Sequence, residues 1–204
     1  METAKTMWTG SAARVAANHF ASARREHRDV DFLKLVLASL TGDENVLDVG
    51  AGSGFLSLAI AAKLNGGKVV AVDLSGDMLG KLHQRSREQG LEGVIDIRQT
   101  DAATTGLPDA SVDLAVSVGL LHELQDPAAA FGEVHRVLRP GGRLVLKDFR
   151  AGLLWSPMMR LIHPRGACGP FSPSTLREVM EGAGFRQIRM WDEGSHHLVA
   201  TASR

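Results

Sequence analysis

From Val46 onward, short apolar runs alternate with stretches whose apolar residues recur at helical spacing. "NVLDVG" predicts a strand, and "FLSLAIAAKL" after it is apolar almost all round, as a helix packed on a sheet is. "KVVAVDLS" predicts a second strand ending in Ser75, which caps a helix carrying Met78, Leu79 and Leu82 and stopping near Gly90. "GVIDIRQTD" and "SVDLAVSVG" predict strands three and four. Asp126 and Pro127 then supply the cap and first turn of a helix with Ala130, Phe131, Val134, Val137 and Leu138 on one face. "RPGG" ends that helix, and "RLVLKDF" predicts the fifth strand.

Strands alternating with helices imply βαβ crossovers and a mostly parallel sheet covered on both faces. The tail changes rhythm. Ser172 and Pro173 open a helix with Leu176, Val179, Met180 and Ala183 on one side, closed by Gly184. "FRQIRMW" and "HHLVATAS" follow as strands, and the "DEGS" between them is short enough for an antiparallel hairpin. The expected fold is α/β: a Rossmann-like, doubly wound, seven-stranded sheet, mostly parallel with a C-terminal antiparallel hairpin and helices on both faces.

With 204 residues the chain suits one domain able to bury ~70% of its unfolded surface. Within it, residues 1–40 read as an N-terminal helical cap that includes "DFLKLVLASL", 41–149 as a core, 150–171 as a lid or insertion without clear period, and 172–204 as the closing helix and hairpin. The 23 basic and 23 acidic residues cancel, which removes any global field for nucleic acid or acidic membrane and favours a small, roughly neutral partner. A lone cysteine, Cys168, makes no internal disulfide. The opening "METAKTMWTG" lacks the basic start and apolar core of a signal peptide, and no apolar run approaches the ~20 residues of a membrane span. A cytoplasmic, soluble protein is expected.

The chemistry gathers where the first strand breaks into glycines. At the carboxyl end of such a strand the chain turns into a helix whose free N–H groups face outward, and ligands bind there. Gly50, Gly52 and Gly54 let the backbone take unusual dihedrals and let a ligand approach main-chain atoms. For Gly52 alone, a tight turn without a ligand is also a sound reading. A dinucleotide fingerprint needs a third glycine where Phe55 stands, which argues against an NAD-dependent oxidoreductase, and a phosphate loop needs a Lys that is absent.

The pattern present, D-x-G-x-G-x-G from Asp48 to Gly54, resembles the first motif of class I S-adenosylmethionine-dependent methyltransferases. "LPDASVDLAVSVGLLHELQDPAAAFGEVHRVLRPGGRLVLKDF" is similar to the fourth-to-fifth-strand block of the small-molecule branch that contains the ubiquinone and menaquinone biosynthesis methyltransferases. "GPFSPSTLREVMEGAGF" resembles that branch's last helix. The likeness is strong from Asn45 to Phe149 and looser from Gly169 to Ser203.

It implies an enzyme that moves a methyl group from S-adenosylmethionine to a small-molecule acceptor by direct in-line displacement. A cofactor-binding regulatory module without transfer activity, and a methyltransferase acting on a macromolecule, stay open. Asp48 suits the ammonium of the cofactor, Asp73 at the end of strand two its ribose hydroxyls, and Asp101 with Ala102 its adenine amino group. The resemblance also places Gly50, Ala51, Gly52, Ser53, Gly54, Leu74 and Val118 along the cofactor.

A sulfonium already activates its methyl group, so positioning matters more than a protein nucleophile. His122, in "GLLHEL", is the candidate base should the acceptor carry a proton, and its plainer reading is a packing histidine. Glu123 reads as a solvated or ion-paired helix residue. His163 and Cys168 fall in the expected lid, where nothing near "RGACGP" supports a catalytic cysteine. Met158 and Met159 suit an apolar acceptor pocket or ordinary packing, and Trp8, His19 and Phe20 suit helix packing or closure of the N-terminal side.

No metal is expected. His196 and His197 are adjacent on a predicted strand and point to opposite faces, and no paired cysteines or H-x-x-x-H spacing occur. The motif of exocyclic-amine methylation is absent at Ser117–Leu120, and "SARREHR" is one basic run on a neutral chain, so nucleic acid is disfavoured as the acceptor.

Overall fold

The computed structural model describes residues 29–151 and 170–204. The candidates Trp8, His19, Phe20, the run Ser22–Arg28, Met158, Met159, His163 and Cys168 lie outside them.

In chain order the elements are α1 (Val30–Ala38), β1 (Asn45–Val49), α2 (Phe55–Ala61), β2 (Lys68–Asp73), α3 (Gly76–Glu88), β3 (Ile95–Gln99), β4 (Val112–Val118), a short 3₁₀ turn (Leu121–Glu123), α4 (Pro127–Val137), β5 (Leu138–Phe149), α5 (Pro173–Gly182), β6 (Arg186–Glu193) and β7 (His197–Ser203). The seven strands form one sheet in the order β3-β2-β1-β4-β5-β7-β6. Pairings from β3 to β5 are parallel, and β7 runs antiparallel to both β5 and β6.

Alternation along the strands sorts the core into two layers. Val46, Val69, Ala71, Leu114, Val116 and Val145 pack under α1, α2 and α3, while Leu47, Val49, Ala115, Leu144 and Leu146 pack with α4 and α5. The central strands are apolar on both sides for this reason, and each fully buried Leu or Val contributes about 1.5–3 kcal/mol. The expected caps form: Ser75 Oγ accepts from Met78 N, Asp126 from Ala129 N and Ser172 from Thr175 N.

Two boundaries differ from expectation. β5 begins at Leu138 instead of after "RPGG", because Val112 pairs Leu138 and Leu114 pairs Arg143, so residues 139–142 bulge opposite Asp113. Gly141 takes φ +79° there, and a Cβ on Gly142 would come within 2.8 Å of the Arg139 carbonyl oxygen. The hairpin turn also begins two residues later than predicted and ends one later: Asp192 and Glu193 pair Leu198 and His197. His196 therefore lies in the turn and not on the strand, whereas His197 packs against Phe149 with ring centroids 5.1 Å apart.

Two buried polar residues stand side by side at the end of β5. Lys147 forms ion pairs with Asp29, at 2.6 Å, and with Glu193, tying the N-terminal end of α1 to the hairpin. Asp148 points to the other face of the sheet, toward the turn after β4. No helix among the described residues is long and apolar enough to cross a membrane.

Candidate active site

The chain runs from β1 outward to β2 and β3, then returns to lay β4 on the opposite side of β1. That reversal opens a crevice beyond the carboxyl ends of the strands, where open α/β sheets take their ligands. A cavity lies there, walled by the Gly50–Ser53 turn, the ends of β2 and β3, and the segment from Val118 through Leu124.

Each glycine in the turn has its own reason. Gly50, Gly52 and Gly54 adopt φ of +75°, +53° and +90°. A Cβ on Gly54 would stand 2.3 Å from Leu82 Cδ1, so this residue lets α2 and α3 approach, and it does not line the cavity. A Cβ on Gly50 would press on Leu120 at 2.9 Å. On Gly52 it would meet only Met78 Cε at 3.5 Å, in the cavity itself.

The strand-ending acids converge on this cavity. Asp73, at the end of β2, accepts from Gly52 N through Oδ2 and from Ser75 N through Oδ1, both at 2.8 Å, so one carboxylate fixes the glycine turn and the start of α3. Asp48 is 1% exposed and accepts from Ser57 Oγ on α2 at 2.5 Å. Burial raises its pKa to about 7, the Asp73 charge adds to the rise, and the Ser57 bond opposes it. Asp101, past β3, accepts from Ala103 N at 2.8 Å, holding the turn in which Ala102 packs.

Of the expected cofactor residues, Asp48, Gly50, Ala51, Gly52, Ser53, Asp73, Leu74, Asp101, Ala102 and Val118 line this cavity, and Gly54 supports it from behind. His122 stands differently. It is 3% exposed and is not among the described lining residues; its Nδ1 lies 2.7 Å from Asp148 Oδ1 and its ring meets the edge of Phe149 at 4.8 Å. Glu123 lines the cavity in its place. Both stand on the short 3₁₀ turn Leu121–Glu123, in which Leu121 and His122 are buried.

Asp48, Asp73, Asp101 and Glu123 are the charged residues among the described lining, with no Lys or Arg. Such a wall suits a ligand with an ammonium, a sulfonium and vicinal hydroxyls and repels the pyrophosphate of a dinucleotide. The residues present therefore fit S-adenosylmethionine.

Known proteins give this chain a family. Residues 47–146 match the model of a family described as a methyltransferase domain. A demethylmenaquinone methyltransferase of Thermus thermophilus is 32% identical, with the match covering 73% of this chain and 77% of that protein. A 27-O-demethylrifamycin SV methyltransferase of Amycolatopsis mediterranei is 30% identical over 78% of this chain and 53% of its own length. Among solved structures, a SAM dependent methyltransferase from Aquifex aeolicus superposes with a TM-score of 0.72 at 24% identity, covering 89% of this chain and 92% of that one.

Proposed function

Because the chain belongs to the S-adenosylmethionine-dependent methyltransferases, we propose that it transfers the methyl group to a small-molecule acceptor by direct in-line displacement. The observation that carries this reading is the cavity at the sheet's switch point, with three strand-ending acids on one side and Leu120, Glu123 and Leu124 on the other. Relatives named for a demethylmenaquinone and a demethylrifamycin support a small organic acceptor.

In this reading Asp48 meets the cofactor's ammonium, Asp73 its ribose hydroxyls and Asp101 its adenine amino group. Gly50, Ala51, Gly52 and Ser53 form the floor, with Leu74, Ala102 and Val118 packing around it. When bound, the cofactor supplies a methyl group on a positively charged sulfur, so no protein nucleophile is required. The chain's task is to hold the acceptor in line at about 3–3.5 Å and exclude water. We assign residues 41–149 as the cofactor-binding core, 172–204 as the helix and hairpin that complete the sheet, and 1–40 and 150–171 as the acceptor side.

Asp48 gives the binding a pH dependence. An ammonium favours its ionised form, so below about pH 7 binding must expel a proton. Affinity for S-adenosylmethionine is expected to fall with decreasing pH, approaching tenfold per unit between about pH 7 and 5.5, and the slope is lost in Asp48→Asn. Calorimetric titration across that range checks it. The ligand-free fold responds in the opposite sense: the folded pKa lies above the ordinary 3.8, so the stabilising contribution of Asp48 is complete below that value and is lost as pH rises through about 7.

Transfer itself is tested by incubating the protein with methyl-labelled S-adenosylmethionine and a metabolite extract, then fractionating by size. Label in small molecules supports the proposal, whereas label confined to macromolecules, or tight cofactor binding without any turnover, overturns it.

A further inference from the structure

Resting on the methyltransferase reading, we propose that Glu123 takes the proton of an O–H or N–H methyl acceptor and that His122 and Asp148 position Glu123 and share that proton. Glu123 is the titratable side chain that lines the cavity on the segment after β4, between the apolar Leu120 and Leu124. The other three acids of the wall end β1, β2 and β3.

Behind it stands an ordered polar pair. Asp148 accepts from Leu121 N through Oδ2 at 2.6 Å, and through Oδ1 from Phe149 N at 2.6 Å, which fixes its plane. Oδ1 also lies 2.7 Å from His122 Nδ1. An ionised carboxylate only accepts, so Nδ1 carries the hydrogen and Nε2 is directed toward Glu123, whose Oε1 is 3.6 Å away. The described charged groups facing the imidazole are thus Asp148 and Glu123, with Phe149 against its edge and His197 beyond that ring. The buried carboxylate fixes the imidazole ring and its tautomer at this spacing.

The step balances without another reactant. A lone pair of the acceptor's oxygen or nitrogen forms the bond to the methyl carbon, and the carbon–sulfur bond breaks with its electron pair passing to sulfur, giving S-adenosylhomocysteine. The acceptor's proton goes to Glu123, which passes it to His122 Nε2 between two carboxylates.

The test uses the full chain saturated with S-adenosylhomocysteine, in wild type, Glu123→Gln and Asp148→Asn. Nuclear magnetic resonance of the imidazole nitrogens is expected to give the Nδ1–H tautomer for His122 in wild type, with its titration midpoint about one pH unit lower in Glu123→Gln and mixed tautomers in Asp148→Asn. Affinity for S-adenosylhomocysteine stays within about twofold of wild type in both variants. With p-butylphenol and p-butylaniline as acceptor probes, label is expected on one of them, with kcat about 100-fold lower and KM unchanged in Glu123→Gln. An unmoved midpoint in Glu123→Gln, or wild-type kcat in that variant, overturns the proposal. If none of the probes is methylated, the tautomer and midpoint decide alone. Failure of wild type to bind S-adenosylhomocysteine would instead overturn the methyltransferase reading itself.

Discussion

Asp73→Ala is expected to weaken binding of S-adenosylhomocysteine by about 2–3 kcal/mol, roughly 30- to 150-fold, as read by calorimetric titration. The carboxylate holds the glycine turn through Gly52 N and the start of α3 through Ser75 N, so removing it frees two backbone donors as well as two ribose hydroxyls. Asp73→Asn separates these roles. Its amide nitrogen faces either Gly52 N–H or Ser75 N–H with a donor against a donor, so the turn loosens although one oxygen still meets the ribose. An affinity intermediate between wild type and Asp73→Ala is expected, and wild-type affinity in Asp73→Ala would remove Asp73 from the ribose contact.

The second large effect belongs to Gly54 and falls on stability. Gly54→Ala places a Cβ 2.3 Å from Leu82 Cδ1 and 3.3 Å from Leu58 Cγ, on a backbone at φ +90°. Strain at that dihedral costs about 1–2 kcal/mol and overpacking about 1–3, so denaturant unfolding is expected to show a loss of about 2–5 kcal/mol. Gly52→Ala is the control: at φ +53° with Met78 Cε 3.5 Å away, it costs about 1–2 kcal/mol of strain but projects into the cavity. Cofactor affinity therefore falls more in Gly52→Ala than its stability does. Equal stability of Gly54→Ala and wild type would mean that α2 and α3 do not meet across that glycine.

These residues also show what the sequence makes legible. Asp48, Asp73 and Asp101 stand out because each interrupts or closes an apolar run where a parallel strand must end, and parallel strands end on one side of the sheet. Gly54 reads as part of the ligand turn, yet its neighbour is Leu82 on the next helix, a contact that spacing along the chain does not reveal. For Asp148 the sequence does hold a signal. A Lys–Asp pair inside "LVLKDF", on a strand buried on both faces, must find partners, and they come from Asp29 and Glu193 on one side and the turn at His122 on the other. The bulge at residues 139–142 hides the true start of β5, because "RPGG" is written as a helix stop whether or not the strand has already begun.

The most direct measurement is parallel calorimetric titration of the protein with S-adenosylmethionine, S-adenosylhomocysteine and NADH. Binding of the first two at about micromolar affinity, with no heat from NADH, is the expected result for a wall of carboxylates at the end of β1 to β3. Binding of NADH alone would contradict it, and with it the assignment of the glycine turn and of all three acids.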